Sequence, residues 1–131
     1  MKKFLKKIIA TNNSDLRVIS AICSGSKVNQ TKIKFLRENR VFLIPLIRID
    51  KKGDKGLKEI NSIVKFEFIY RSKSKNIDQR NKNNILELLA IDILKNKNNF
   101  EIIILFSNNS VIKLETEIID VTLEDLIEKD A

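Results

Sequence analysis

The sequence holds no histidine and no tryptophan, and only one cysteine, one proline, one tyrosine and three glycines among its 131 residues. Without histidine, imidazole general-base catalysis, His-ligated metal sites and Ser-His-Asp or Cys-His nucleophiles are excluded. A single cysteine, Cys23, makes no intrachain disulfide and no thiolate zinc site, which fits a reducing compartment. Three glycines, at 25, 53 and 56, cannot supply a GxGxxG turn or a phosphate loop. Asp50 and Asp54 flank Gly53, but the closing glutamate of a calcium loop is missing. Nothing approaches the ~18–20 consecutive apolar residues of a membrane span. Lys6 and Lys7 interrupt the apolar stretch that a secretory leader would need. The expectation is a cytoplasmic protein with no membrane segment, no metal and no cofactor.

What is present is a foldable, strongly biased composition. Apolar residues make up 43% and charged residues 32%, enough for one real core in a single domain spanning 1–131. Isoleucine (22), lysine (19) and asparagine (14) dominate, the signature of an AT-rich coding sequence. The net charge of +8 rests on those lysines; only six of the 25 basic residues are arginine, the better side chain for bidentate phosphate or base-edge recognition. Charge is unevenly placed: residues 1–60 carry +10, residues 61–97 carry +4 and residues 98–131 carry −6.

Periodicity predicts strand, helix, a series of antiparallel strands and a closing helix. Lys3 to Ile9 reads as a first strand. Asn12, Asn13 and Ser14 can cap an amphipathic helix over 15–23, with Leu16, Ile19 and Cys23 on its apolar side and Gly25 at its end. Further strands are expected over 32–35, 41–49, 63–71, 85–94, 100–106 and 111–118, the fourth of these (85–94) fitting a helix almost as well. Pro45 lacks a backbone donor, so it marks an edge or bulge. Residues 50–61 read as a loop and 72–84 as a long polar loop. Over 63–71, Val64, Phe66, Phe68 and Tyr70 share one face. Asn108 and Asn109 tolerate the positive φ of a hairpin turn. Thr122 can cap a C-terminal helix that turns Leu123, Leu126 and Ile127 inward and Glu124, Asp125 and Glu128 outward. The predicted class is α+β: a curled antiparallel sheet of six to seven strands, with a short N-terminal helix and a C-terminal capping helix. A pleckstrin-homology-like roll has that order of parts.

Few residues carry chemistry. Glu115/Glu117 and Glu124/Asp125 are paired carboxylates whose expected places, an outward strand face and a helix N-terminus, make them surface charges rather than an acid/base pair. Cys23 reads as a small buried filler. Catalytic, cofactor-binding and metal residues are therefore expected to be none. Arg71, Lys73, Lys75, Arg80 and Lys82 would place several cations on one loop, and Arg48 lies in an otherwise apolar strand. These six are the candidate contacts for an anion or a partner.

Several segments together resemble one bacterial family. Asp15-Leu16-Arg17-Val18-Ile19-Ser20-Ala21, the strand from Arg40 to Asp50, and Ile85-Leu86-Glu87-Leu88-Leu89-Ala90-Ile91 followed by Ile112-Lys113-Leu114-Glu115 are similar, in order and spacing, to domain-of-unknown-function family 2948. Arg48 and Asp125 match its pattern. The family's Gln-Asp after the first helix is Ser24-Gly25 here, its Trp-Glu is Lys51-Lys52, and its glycine turn is Asn108-Asn109. The resemblance implies no activity.

The function expected from the sequence is thus a non-enzymatic protein-interaction module. Its partner would be another protein or a second copy, met through whichever of Phe42/Ile44/Leu46 and Val41/Leu43/Ile47 faces outward. The alternative is an RNA- or anionic-ligand-binding domain with a basic surface, which requires the cations of 1–60 and 71–82 to share one face.

Overall fold

Alternation of apolar and polar side chains with period two governs most of the chain, and the protein is accordingly mostly strand. The computed structural model describes residues 6–50, 58–80 and 85–126. The strands are β1 (Lys7–Ala10), β2 (Lys27–Asn29), β3 (Lys34–Leu36), β4 (Val41–Asp50), β5 (Lys58–Phe66), β6 (Ile69–Lys75), β7 (Ile85–Asn96), β8 (Asn99–Phe106), β9 (Val111–Thr116) and β10 (Val121–Asp125). All pair antiparallel in the order β1-β10-β5-β4-β2-β7-β8-β9-β6, with β3 branching from β4. One α-helix, α1 (Asn13–Cys23), and a single 3-10 turn over Gln30–Lys32 complete the described elements.

Helix α1 forms where the capping pattern placed it. The Asn12 side chain accepts from the Asp15 amide at 2.8 Å, and Gly25 takes the positive φ (87°) that ends the element. Leu16, Ile19 and Cys23 are buried, and the helix packs on β7 and β1. The Ser20 hydroxyl accepts from the Ile91 amide at 2.9 Å, beside the irregularity that shifts the β7–β8 register between Leu88 and Ala90. The core runs from Ala10 on β1 through Ile44 and Phe66 to Ile104, Leu114 and Leu123.

Three expectations give way. The closing helix is absent among the described residues: Val121–Asp125 is the strand β10, inserted between β1 and β5. Its residues obey period two, with Val121, Leu123 and Asp125 buried and Glu124 exposed, so Thr122 is a strand residue rather than a cap. The pleckstrin-homology-like comparison rested on that helix and loses its ground with it. The sheet has ten strands, because β2 and β10 went unread and the expected strand over 63–71 is two strands. Phe68 breaks it by adopting φ of 60°, so Ile69 points into the core while Phe68 and Tyr70 are exposed. Residues 58–61, expected as loop, extend β5 along β4.

Pro45 sits where a missing donor costs nothing. On one edge β4 pairs with β3 at Val41, Phe42 and Leu43 and with β2 at Ile47, and no described strand pairs with Ile44–Leu46 on that edge. Phe42, Ile44 and Leu46 face the core; the outward set is Val41, Leu43 and Ile47, each half-buried.

Candidate functional site

The five candidate residues that the structure describes fall into two groups with different fates. Arg48 is not at the surface. It continues the inward row Phe42, Ile44 and Leu46, so its guanidinium enters the end of the core with 4% of the residue exposed. There it grips Asp125 on β10 through two bonds, Nε to Oδ1 at 2.9 Å and Nη2 to Oδ2 at 2.6 Å. The Ser62 hydroxyl donates to Oδ1 at 2.7 Å and the Lys6 amide to Oδ2 at 2.9 Å. Burial pushes the Asp125 pKa up, but the bonds from Arg48, Ser62 and the Lys6 amide and the charge of Arg48 together bring it down to about 2. This clasp joins β4, β5, β10 and the entry to β1. Its role is architectural, and the expectation that Asp125 faces outward is overturned.

Cys23 lies at the C-terminal end of α1, wholly buried. Burial pushes its thiol up to about 12; Arg48 lowers it and Asp125 raises it by smaller amounts. A thiol so protonated is no nucleophile. Among the described residues no group of three His, Cys, Asp or Glu side chains could hold a metal ion. No helix in the described residues is long and apolar enough to cross a membrane.

Four other candidates, Arg71, Lys73, Lys75 and Arg80, cluster around β6. Arg71, Lys73 and Lys75 were expected on a loop; they form an edge strand, whose polar sequence suits a position paired on one side only. Alternation turns all three to the outer face. Arg71 meets Glu115 at 3.5 Å, and Lys73 stands directly opposite Lys113 on β9. Arg80 lies on the following turn, 3.4 Å from Asp78. The Arg80 amide and then its side chain, bonding to Asp78, hold that carboxyl below its ordinary value. Lys82 lies outside the described residues.

Sequence reasoning missed the groove beside this strand. It is a cleft of about 610 Å³ between β6 and β3, a strand that pairs with β4 alone among the described strands. Ser72 and Ser74 of β6 form one wall, Ile33 and Phe35 the other, and the buried Phe42 and Ile112 the floor. Arg37, stacked 5.5 Å above the Phe35 ring, and Arg80 stand on the rim. One end is closed by the Ile69 amide donating to the Arg40 carbonyl at 2.8 Å. The other is closed by the Gln79 side chain donating to the Ile33 carbonyl at 2.8 Å and the Asp78 amide to Gln30 at 3.1 Å.

The ladder fixes which main-chain groups look into this groove. The Phe106 amide bonds the Ser110 carbonyl, so by antiparallel alternation Val111 turns its own amide and carbonyl toward β6, as do Lys113 and Glu115. Their partners Lys75, Lys73 and Arg71 face β9 in return, and Ser72 and Ser74 face away from it. Outside the ladder no described group bonds the amides or carbonyls of Ser72 and Ser74. The sequence signal for this is the alternation of basic and serine residues over Arg71–Lys75, most of which lies in the stretch 72–84 whose polarity also suits a loop.

A second groove, about 830 Å³, lies where no described strand pairs with that edge of β4, over Pro45, Ile47, Ile85 and Leu126 with Lys27 and Lys32 on its rim. No curated protein and no solved structure matches the chain. The family described as protein of unknown function (DUF2948) matches residues 6–131. With the strands, the Arg48–Asp125 clasp and the β6 groove all lying inside that span, the chain belongs to this family.

Proposed function

We propose that this protein is a non-enzymatic interaction module that takes an extended segment of a partner protein as an added strand along β6. The observation that carries the reading is the pair of main-chain groups on Ser72 and Ser74, facing a groove and unbonded among the described residues. Ser72 is half-buried and Ser74 exposed, and an open strand edge carrying such free amides and carbonyls is the ordinary template for an added strand. The closed ends of the groove set the length. Between Ile69 and Asn76 there is room for about five extended residues at ~3.4 Å each.

Selection of random seven-residue peptides on the protein tests this. Recovered peptides shift the amide resonances of Ser72 and Ser74, and Ser74→Pro abolishes their binding. That substitution deletes a donor on the open edge and leaves the bonds to β9 in place. Peptides that shift amides elsewhere, or that bind Ser74→Pro unchanged, would refute the reading.

The RNA- or anion-binding alternative has the cations of β6 and Lys113 in its favour. It has against it Glu101 and Glu115 in the same cross-strand row as Arg71, and the lack of rings interleaved with Arg71, Lys73 and Lys75. A second copy docking on Val41, Leu43 and Ile47 is the other partner we consider. A strict monomer by light scattering at high concentration removes it.

A further inference from the structure

The added strand has a required sequence pattern, and this inference rests on the strand-addition reading above. We infer that the partner segment alternates acidic and apolar residues, with carboxylates on the outer face and small apolar side chains in the groove.

The argument starts from Lys73 and Lys113. They stand directly opposite each other on β6 and β9, and no carboxylate of the described residues lies within ion-pair distance of either. Like charges facing across a ladder are unfavourable, and an oppositely charged neighbour on the same face relieves the repulsion. Lys75 and Arg71 flank Lys73 on that face, so the open side of β6 carries three cations at two-residue spacing, about 6.7 Å apart along the strand. Of these three, only Arg71 has a carboxylate of the described residues within ion-pair distance, that of Glu115 at 3.5 Å. A strand laid beside β6 repeats the same spacing, so every second residue falls beside one of these cations.

The residues between them fall on the opposite face, next to Ser72 and Ser74. That face is the groove, where Phe42 and Ile112 make an apolar floor and Phe35 and Ile33 an apolar wall, while Ser72, Ser74, Asp78, Gln79 and the two rim arginines make the rest of the lining polar. Serine side chains leave the space that a branched apolar residue on the incoming strand would fill. The pattern is therefore acidic, apolar, acidic, apolar, acidic.

The probe is a synthetic Glu-Val-Glu-Val-Glu peptide with blocked ends, titrated into the isotopically labelled full chain. Comparison peptides are Lys-Val-Lys-Val-Lys and Glu-Glu-Glu-Val-Val, with a ten-residue uridine oligonucleotide as the nucleic-acid arm. The alternating acidic peptide binds about tenfold more tightly than the lysine peptide, the weight of three solvent-exposed charge pairs, and the difference shrinks with salt. The blockwise peptide binds more weakly than the alternating one, and Lys73→Glu, a surface change that leaves the fold intact, reduces the acidic-over-basic preference severalfold without inverting it, because Arg71 and Lys75 remain. If the lysine peptide binds equally well and Ser74→Pro abolishes both, the acidic pattern is wrong and strand addition survives. If the acidic peptide binds Ser74→Pro as well as the parent, strand addition itself is wrong. No binding by any peptide, or stronger shifts of the same amides by the oligonucleotide, overturns both.

Discussion

At the scale of single residues, Arg48 and Asp125 illustrate how a charge is kept inside a small protein. Two buried ions are costly to desolvate, and each is tolerated because the other, with Ser62 and the Lys6 amide, replaces the lost water. Removing one partner is therefore far worse than removing both. Asp125→Ala should cost about 3–5 kcal/mol in urea unfolding, whereas Arg48→Met with Asp125→Leu should recover most of that loss. A double variant no more stable than the single one would contradict this account. The same carboxylate sets a pH dependence. Its folded pKa, about 2, lies below the ordinary 3.8, so the folded state binds the proton less readily than the unfolded chain. The resulting stabilisation, about 2 kcal/mol, is complete above pH 4 and drains away as the pH falls from 4 toward 2. Asp125→Asn should flatten the unfolding free energy across that interval.

Among the elements, β6 and β10 show what a sequence reveals and what it hides. Helix α1, the strand over Val41–Asp50 and the hairpin at Asn108 and Asn109 were all legible, since capping side chains, apolar runs and turn-tolerant asparagines are local signals. β10 was not, because Thr122, Glu124 and Asp125 together imitate a helix N-terminus. Only the demand of Arg48 for a buried carboxylate, 77 positions away, identifies Asp125 as inward-facing. β6 was hidden by its own polarity, which is what an edge strand needs and what a loop also shows. The candidate site was legible only in part: Arg71, Lys73, Lys75 and Arg80 were named, but the groove depends on β3 lying across from them, which no local pattern states. The break between β5 and β6 has a price that can be measured. Phe68 holds φ of 60° with its ring half in solvent. Relieving that backbone should outweigh the lost ring contacts, so Phe68→Gly should stabilise the protein by about 0.5–1 kcal/mol in thermal or urea unfolding. A loss of similar size would mean that the ring is needed for packing.

For the whole molecule, the position of β10 matters more than its length. It is flanked by β1 and β5, so removing it splits the sheet rather than trimming it. A chain ending at Asp120 loses the fully buried Val121 and Leu123, each worth about 1.5–3 kcal/mol, and strands the charge of Arg48. Against a typical total of about 5–15 kcal/mol, that chain should show no cooperative melting by circular dichroism. The placement of β10 also bears on timing. Lys6 and Asp125 are bonded across 119 positions, so the ends of the described chain meet only when nearly all of it is available. Such distant pairings make refolding slow, on the order of milliseconds to seconds, and stopped-flow mixing can measure it. On the ribosome the interval is longer still. β1 and β5 leave the exit tunnel with the gap between them unfilled, and both stay open to mispairing until β10 emerges to separate them. Nascent chains arrested before Val121 should therefore be cut readily by protease, and those extended past Asp125 and clear of the tunnel should resist it.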